Sequence, residues 1–161
     1  MKYVRIEEPK SGLVAHAALL DEKAPENARF LWEYLATPRV VSGIHAMWTG
    51  PEISCPVPYV DISATELAAA LPLENATLTP QAGDIVMSYV PQRVWGGNPD
   101  PIFDIGLFYG VGARLFFPIG WLPGSVTAQV IVDEREGLAK ACAAIRRNGA
   151  CEITFSRGER P

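Results

Sequence analysis

The chain has 161 residues, a mass of 17.5 kDa and a net charge of −4, which is the size of one domain with enough interior to fold without disulfide or metal staples. Its 14 Gly and 14 Pro are unevenly spread: ten Gly and eleven Pro fall between Pro38 and Gly124, and because both residues break helices, a helical bundle is excluded. The 48% apolar content excludes disorder, and the acidic balance without a Lys/Arg cluster lacks the electrostatic footprint of a nucleic-acid binder.

The first ten residues, MKYVRIEEPK, are charged and lack the apolar core of a signal peptide. No window offers 18 unbroken apolar residues, so no membrane span is expected. Three cysteines, Cys55, Cys142 and Cys151, are too few for a disulfide framework, and the expected compartment is the cytoplasm. Tyr3 to Ile6 reads as a strand, Pro9 to Gly12 as a turn and Leu13 to Leu20 as the returning strand.

A helix is predicted over Pro25 to Ala36. Pro25 suits its first position, and Ala28, Leu31, Trp32 and Leu35 form an apolar stripe that places Trp32 in the core. Pro38 stops it. Arg39 to Trp48 reads as a strand covered on both faces, and Thr49 to Glu52 as a sharp loop. Cys55-Pro56-Val57-Pro58 is too rich in proline for a central strand and reads as an edge or loop. Ser63 and Glu66 have capping-box spacing for a short helix ending by Pro72.

From residue 83 onwards the pattern is rich in strands. Ile85 to Val90 is a strand and Pro91 to Pro101 an irregular loop. Ile102 to Tyr109 is a strand, Gly110 to Gly112 a tight turn, and Ala113 to Phe117 the return. After a second loop, Pro118 to Gly124, the run Ser125 to Val132 puts Val126, Ala128, Val130 and Val132 on one face. A second helix follows, capped by Asp133 and Glu136, with Leu138, Ala141, Cys142 and Ile145 as its stripe and Asn148-Gly149 as its end. Cys151 to Phe155 closes the chain as a strand. With no repeat and no linker, residues 1–161 form one mainly β domain of about eight strands with two substantial helices.

Three segments stand out: Gly43-Ile44-His45-Ala46-Met47-Trp48-Thr49-Gly50-Pro51-Glu52; Gly83-Asp84-Ile85-Val86 with Asp104-Ile105-Gly106-Leu107-Phe108-Tyr109-Gly110; and Arg114-Leu115-Phe116 with Pro118 and Trp121. Together they resemble an uncharacterised bacterial domain-of-unknown-function family with a cyclophilin-like fold, over nearly the whole chain. The resemblance implies a closed eight-stranded β-barrel capped by two helices. It does not carry prolyl-isomerase residues across: Arg114 near Phe116 is the nearest echo, and fold alone does not convey activity.

His45 is the leading candidate for chemistry, as a general base or as a donor to a bound carbonyl; the plain alternative is a strand histidine bonded to its neighbour. Glu52 could bind a substrate amide or orient His45, or be an exposed loop carboxylate. Trp48 and Trp121 could wall a pocket or pack in the core. Trp95 could be a lid or an oligomer contact. Arg114 could clamp a carboxylate or imide oxygen, or pair with Asp104. Tyr89 could offer its hydroxyl to the same mouth. Cys55 could act as a nucleophile only with His45 as its base. No phosphate loop, dinucleotide fingerprint or Gly-x-Ser-x-Gly elbow occurs, and two histidines without paired cysteines give no metal site, so no cofactor or metal is expected.

The expected function is binding, or turnover, of a small polar amide- or carboxylate-containing ligand at the barrel mouth. His45 and Glu52 would be catalytic there, and Trp48, Tyr89, Arg114 and Trp121 would hold the ligand. Two alternatives rest on the fold and on surface aromatics: a peptide-binding or prolyl-isomerase-like module, and a non-catalytic subunit of a larger assembly. Homo-oligomerisation is compatible with all three.

Overall fold

The structure is a computed structural model and describes residues 1–159 and 161. Eleven strands and two helices follow in chain order: β1 (Tyr3–Glu8), β2 (Leu13–Leu19), α1 (Pro25–Tyr34), β3 (Arg39–His45), β4 (Glu52–Pro56), β5 (Ala76–Thr77), β6 (Asp84–Val90), β7 (Ile102–Phe108), β8 (Phe116–Phe117), β9 (Gly120–Trp121), β10 (Gly124–Val130), α2 (Arg135–Asn148) and β11 (Cys151–Gly158). Eight of the strands run in the order β2-β1-β11-β3-β4-β7-β6-β10, each antiparallel to its neighbours. Pairing of β10 with β2, Val130 opposite Ala17, closes them into a barrel. The short β5 adds to the other side of β10, and β8 and β9 form a separate two-stranded ribbon. This is the closed eight-stranded barrel with two helices expected of the sequence. No helix is long and apolar enough to cross a membrane among the described residues.

Strand alternation sorts the side chains. Ile53 and Cys55 of β4, Ile85 and Met87 of β6, and Phe103, Ile105 and Leu107 of β7 point into the barrel and are buried. Both helices bury a stripe against the same core. On α2 it is the predicted set, Leu138, Ala141, Cys142 and Ile145, and Gly149 at φ +92° ends the helix. On α1 the stripe is rotated: Asn27, Ala28, Phe30, Leu31 and Tyr34 are buried, and Phe30 stacks on Phe103 at 5.3 Å. Trp32 therefore lies at the rim, half-buried under the Arg157 guanidinium at 4.3 Å, and not in the core. The N-terminus of α1 is capped from a distance. The Glu74 carboxylate accepts from the backbone N–H groups of Glu26 and Asn27, both at 3.0 Å.

Four local expectations are corrected. β4 is an interior strand between β3 and β7, although it ends in Pro56. It tolerates that proline because pairing to β3 covers only Ser54 and Ile53, leaving no ladder bond at Pro56 to lose. The predicted return strand Ala113 to Phe117 does not pair with β7, both of whose edges are taken by β4 and β6; only Phe116 and Phe117 are extended, and they pair with β9. A register shift in β10 between Val126 and Ala128 interrupts its alternation, so Val126 faces outwards while Ala128 and Val130 face the core, and Val132 lies beyond the strand, exposed. The region from residue 63 to 72 forms only a single 3₁₀ turn, capped by Thr65 and not by Ser63.

Outside the barrel lies a second, smaller apolar cluster of Val86, Phe108, Ala113, Leu115 and Val126. It exists because the segment from 109 to 123 folds back over the outer face of β6 and β7. That return creates the site described next.

Candidate functional site

A cleft of about 190 Å³ opens on the outer face of β3, β4, β7 and β6, not at the open end of the barrel. Its floor is set by strand parity. Glu52 and Ser54 of β4, Asp104 of β7 and Ser88 of β6 all point outwards because their chain neighbours are core residues. Its walls come from the overlying segments: Trp48 beyond β3, Trp95 from the Pro91 to Pro101 loop, Phe117 of the ribbon, and Leu122. Trp95 packs against Trp48 at 5.7 Å on one side and Phe117 at 5.4 Å on the other, which holds the loop over the floor.

Glu52 is the unusual residue. It is 5% exposed and has no cation beside it. The Thr49 hydroxyl donates to its Oε2. No hydrogen bond reaches its Oε1 among the described residues, yet no fully buried polar side-chain atom is left without a partner, so Oε1 is open to the cleft. Room for it comes from Gly106: a Cβ there would lie 2.5 Å from Oε1 and 2.8 Å from the Phe108 ring. Burial, and then the charge of Asp104, push the Glu52 carboxyl up to about 8, against a smaller opposing effect of the Thr49 bond. Asp104 is raised less, to about 6. Its burial is offset by the Ser54 hydroxyl, which donates to Oδ1 at 2.7 Å, and by the Cys55 N–H. Both carboxyls are thus held above the usual carboxylate range, Glu52 the further of the two, and they titrate as a pair.

His45 ends β3 with the parity of the buried Val41, so it sits at the barrel rim beside the cleft. Both ring nitrogens are engaged. The Ala46 carbonyl, 2.9 Å from Nδ1, can only accept, so Nδ1 carries the proton, and Nε2 accepts from the Tyr109 hydroxyl at 2.7 Å.

Of the six residues expected at the site, His45, Trp48 and Glu52 line this cleft. The other three lie elsewhere. Tyr89 has the parity of Met87, faces the barrel interior and packs on Phe103 at 5.1 Å. Arg114 is exposed because the buried Ala113 and Leu115 on either side turn it outwards; its backbone N–H binds the Thr49 carbonyl at 3.0 Å, and Asp104 is partnered by Ser54 instead. Trp121 is 56% exposed, paired with Phe116 at 4.9 Å on the side of the ribbon opposite Phe117. Cys55 is sealed in the barrel, where burial pushes its thiol well up, so it is no nucleophile. The residues that sequence reasoning left out are Thr49, Ser54, Ser88, Gly106 and Phe117; an outward parity shared by Glu52, Ser54 and Asp104 was the available signal for the floor.

A closed antiparallel barrel carrying an apolar cleft with a carboxyl pair on its outer wall is the class of protein that fold and geometry define. The chain belongs to the family described as "Protein of unknown function (DUF3830)", whose model matches residues 6–157. A search of curated proteins finds no match. Among solved structures it is similar to McbB in complex with tryptophan, with a TM-score of 0.68 and 18% identity over 98% of this chain and 45% of that one. It is also similar to the hypothetical protein AF2241 from Archaeoglobus fulgidus, with a TM-score of 0.53 and 18% identity over 98% of this chain and 95% of that one. The chain thus spans under half the length of the McbB chain, and both likenesses are of fold.

Proposed function

We propose that the protein binds a small amide through the outer-face cleft. The observation that carries this is the carboxyl pair at the cleft floor. With both carboxyls raised and Glu52 Oε1 free of a partner, the pair as a whole can offer an O–H donor and a carboxylate acceptor. An amide group presents the complement, a carbonyl that accepts and an N–H that donates. A carboxylate in the same place would meet the Asp104 charge without a compensating cation, so the cleft favours the amide of the two ligand chemistries expected from the sequence. Apolar cavities of about 150 Å³ hold benzene, and Trp48, Trp95 and Phe117 suit a flat ring, which makes a single-ring aromatic amide the fitting size. McbB, which this chain matches over 45% of its length, is described in complex with tryptophan, a small aromatic molecule.

Within the cleft, Glu52 has both an open oxygen and a protonation state that changes near neutral pH, so it is the group through which a proton can move. His45, with both nitrogens engaged, holds Tyr109 and the cleft wall. The test is a thermal-shift titration with benzamide. At about 100 times its dissociation constant a ligand stabilises by about 2.7 kcal/mol. A rise in Tm is expected for the wild type and not for Glu52→Ala, whose folding is checked by circular dichroism. A wild type that does not shift, or a variant that shifts equally, refutes the proposal.

A further inference from the structure

A second cleft, of about 610 Å³, lies on the other side of His45. His45, Ala46 and Met47 line both clefts, so one short stretch of chain, with Met47 exposed on it, is the partition between them. The two sides are chemically opposite. The first has two carboxyl groups and no cation; the second has no carboxyl group in its lining and one cation, Arg146, on the last turn of α2. Among the described residues Arg146 makes no salt bridge, so its guanidinium is available to a ligand. Tyr109 lines the same recess, its hydroxyl held by His45 at 2.7 Å. Burial pushes that hydroxyl's pKa up, and the nearby charge of Arg146 acts against the rise. Arg146 is exposed at the edge of this recess, and its guanidinium, a planar fork of donors, is suited to a carboxylate.

We propose that the second cleft binds the carboxylate end of the same ligand whose amide occupies the first, so that the ligand class is an N-acyl amino acid or a similarly built amide acid lying across the His45–Met47 partition. This deepens the amide reading and rests on it for the amide half alone. It also accounts for why amide and carboxylate chemistry can coexist in one ligand without placing the carboxylate against Asp104.

The experiment is calorimetric titration with N-benzoylglycine, N-benzoyl-β-alanine and N-benzoyl-4-aminobutanoate. Each is paired with the counterpart whose carboxylate is replaced by a primary amide, and all are titrated into wild type, Arg146→Ala, Arg146→Lys and Glu52→Ala. For at least one chain length the acid should bind wild type at least tenfold tighter than its neutral counterpart. That preference should vanish in Arg146→Ala and survive in part in Arg146→Lys, while Glu52→Ala weakens acid and neutral probes alike. Equal affinity of every pair for wild type, or a preference that persists in Arg146→Ala, overturns the proposal. If the neutral probes fail to bind but the acids bind with dependence on Arg146, the amide cleft fails and the carboxylate site stands. If nothing binds, both fall.

Discussion

Glu52 shows how a single side chain can be set by its surroundings. Its carboxyl is raised above the unfolded value, so its contribution to stability is fully present below about pH 4.5 and is lost as pH rises through about 8. The wild type should therefore melt at lower temperature at pH 9 than at pH 5, with a slope from this group of up to about 1.4 kcal/mol per pH unit within that window. Glu52→Gln should flatten the profile and melt higher than wild type at pH 9; an unchanged slope in the variant would assign the effect to other groups. Gly106 gives a second test at this scale. In Gly106→Ala the added methyl meets Oε1 and the Phe108 ring, so a cost of about 1–3 kcal/mol in chemical unfolding is expected together with loss of benzamide binding. Full stability with intact binding would show that the carboxyl does not depend on that space.

Among the elements, the strands were legible because alternation and turn residues coincide: β1, β2, β6, β7 and β10 all lie where period-two runs are bounded by Gly or Pro. The stripe of α2 was legible for the same reason at helical period. What could not be read was anything decided by a neighbour in space. Ala113 to Phe117 has the composition of a strand, but β7 has no free edge to offer it, so it becomes a cover. α1 has no capping side chain of its own at Ala24, and its cap arrives from Glu74. Glu74→Ala should cost about 1 kcal/mol in denaturant unfolding; no change would mean that water replaces the carboxylate there. Likewise, the Pro91 to Pro101 loop reads only as irregular, yet contacts of Trp95 with Trp48 and Phe117 make it a wall. Trp95→Ala should raise the benzamide off-rate several-fold with little effect on Tm, measured by stopped-flow and melting.

At the scale of the molecule, the barrel was foreseeable and the position of the site was not. Sequence places His45, Trp48 and Glu52 at the end of one strand, and they do meet at one cleft. It cannot show that the polar parity of β4 and β7 faces outwards, under a chain segment that has folded back, which is why Tyr89, Arg114 and Trp121 were expected at a barrel mouth they do not share. The same return of chain covers the carboxyl pair and raises Glu52, so fold, burial and proposed recognition share one cause. The measurement that bears on this most directly is the dissociation constant of benzamide, by calorimetry, between pH 6 and 10 for wild type and Glu52→Gln. With Glu52 as donor, wild-type affinity holds to about pH 8 and then falls about tenfold per pH unit as the proton is lost, while the glutamine variant, whose amide still donates, shows no such fall. An affinity that is independent of pH in the wild type, or one that declines equally in both proteins, would contradict the account.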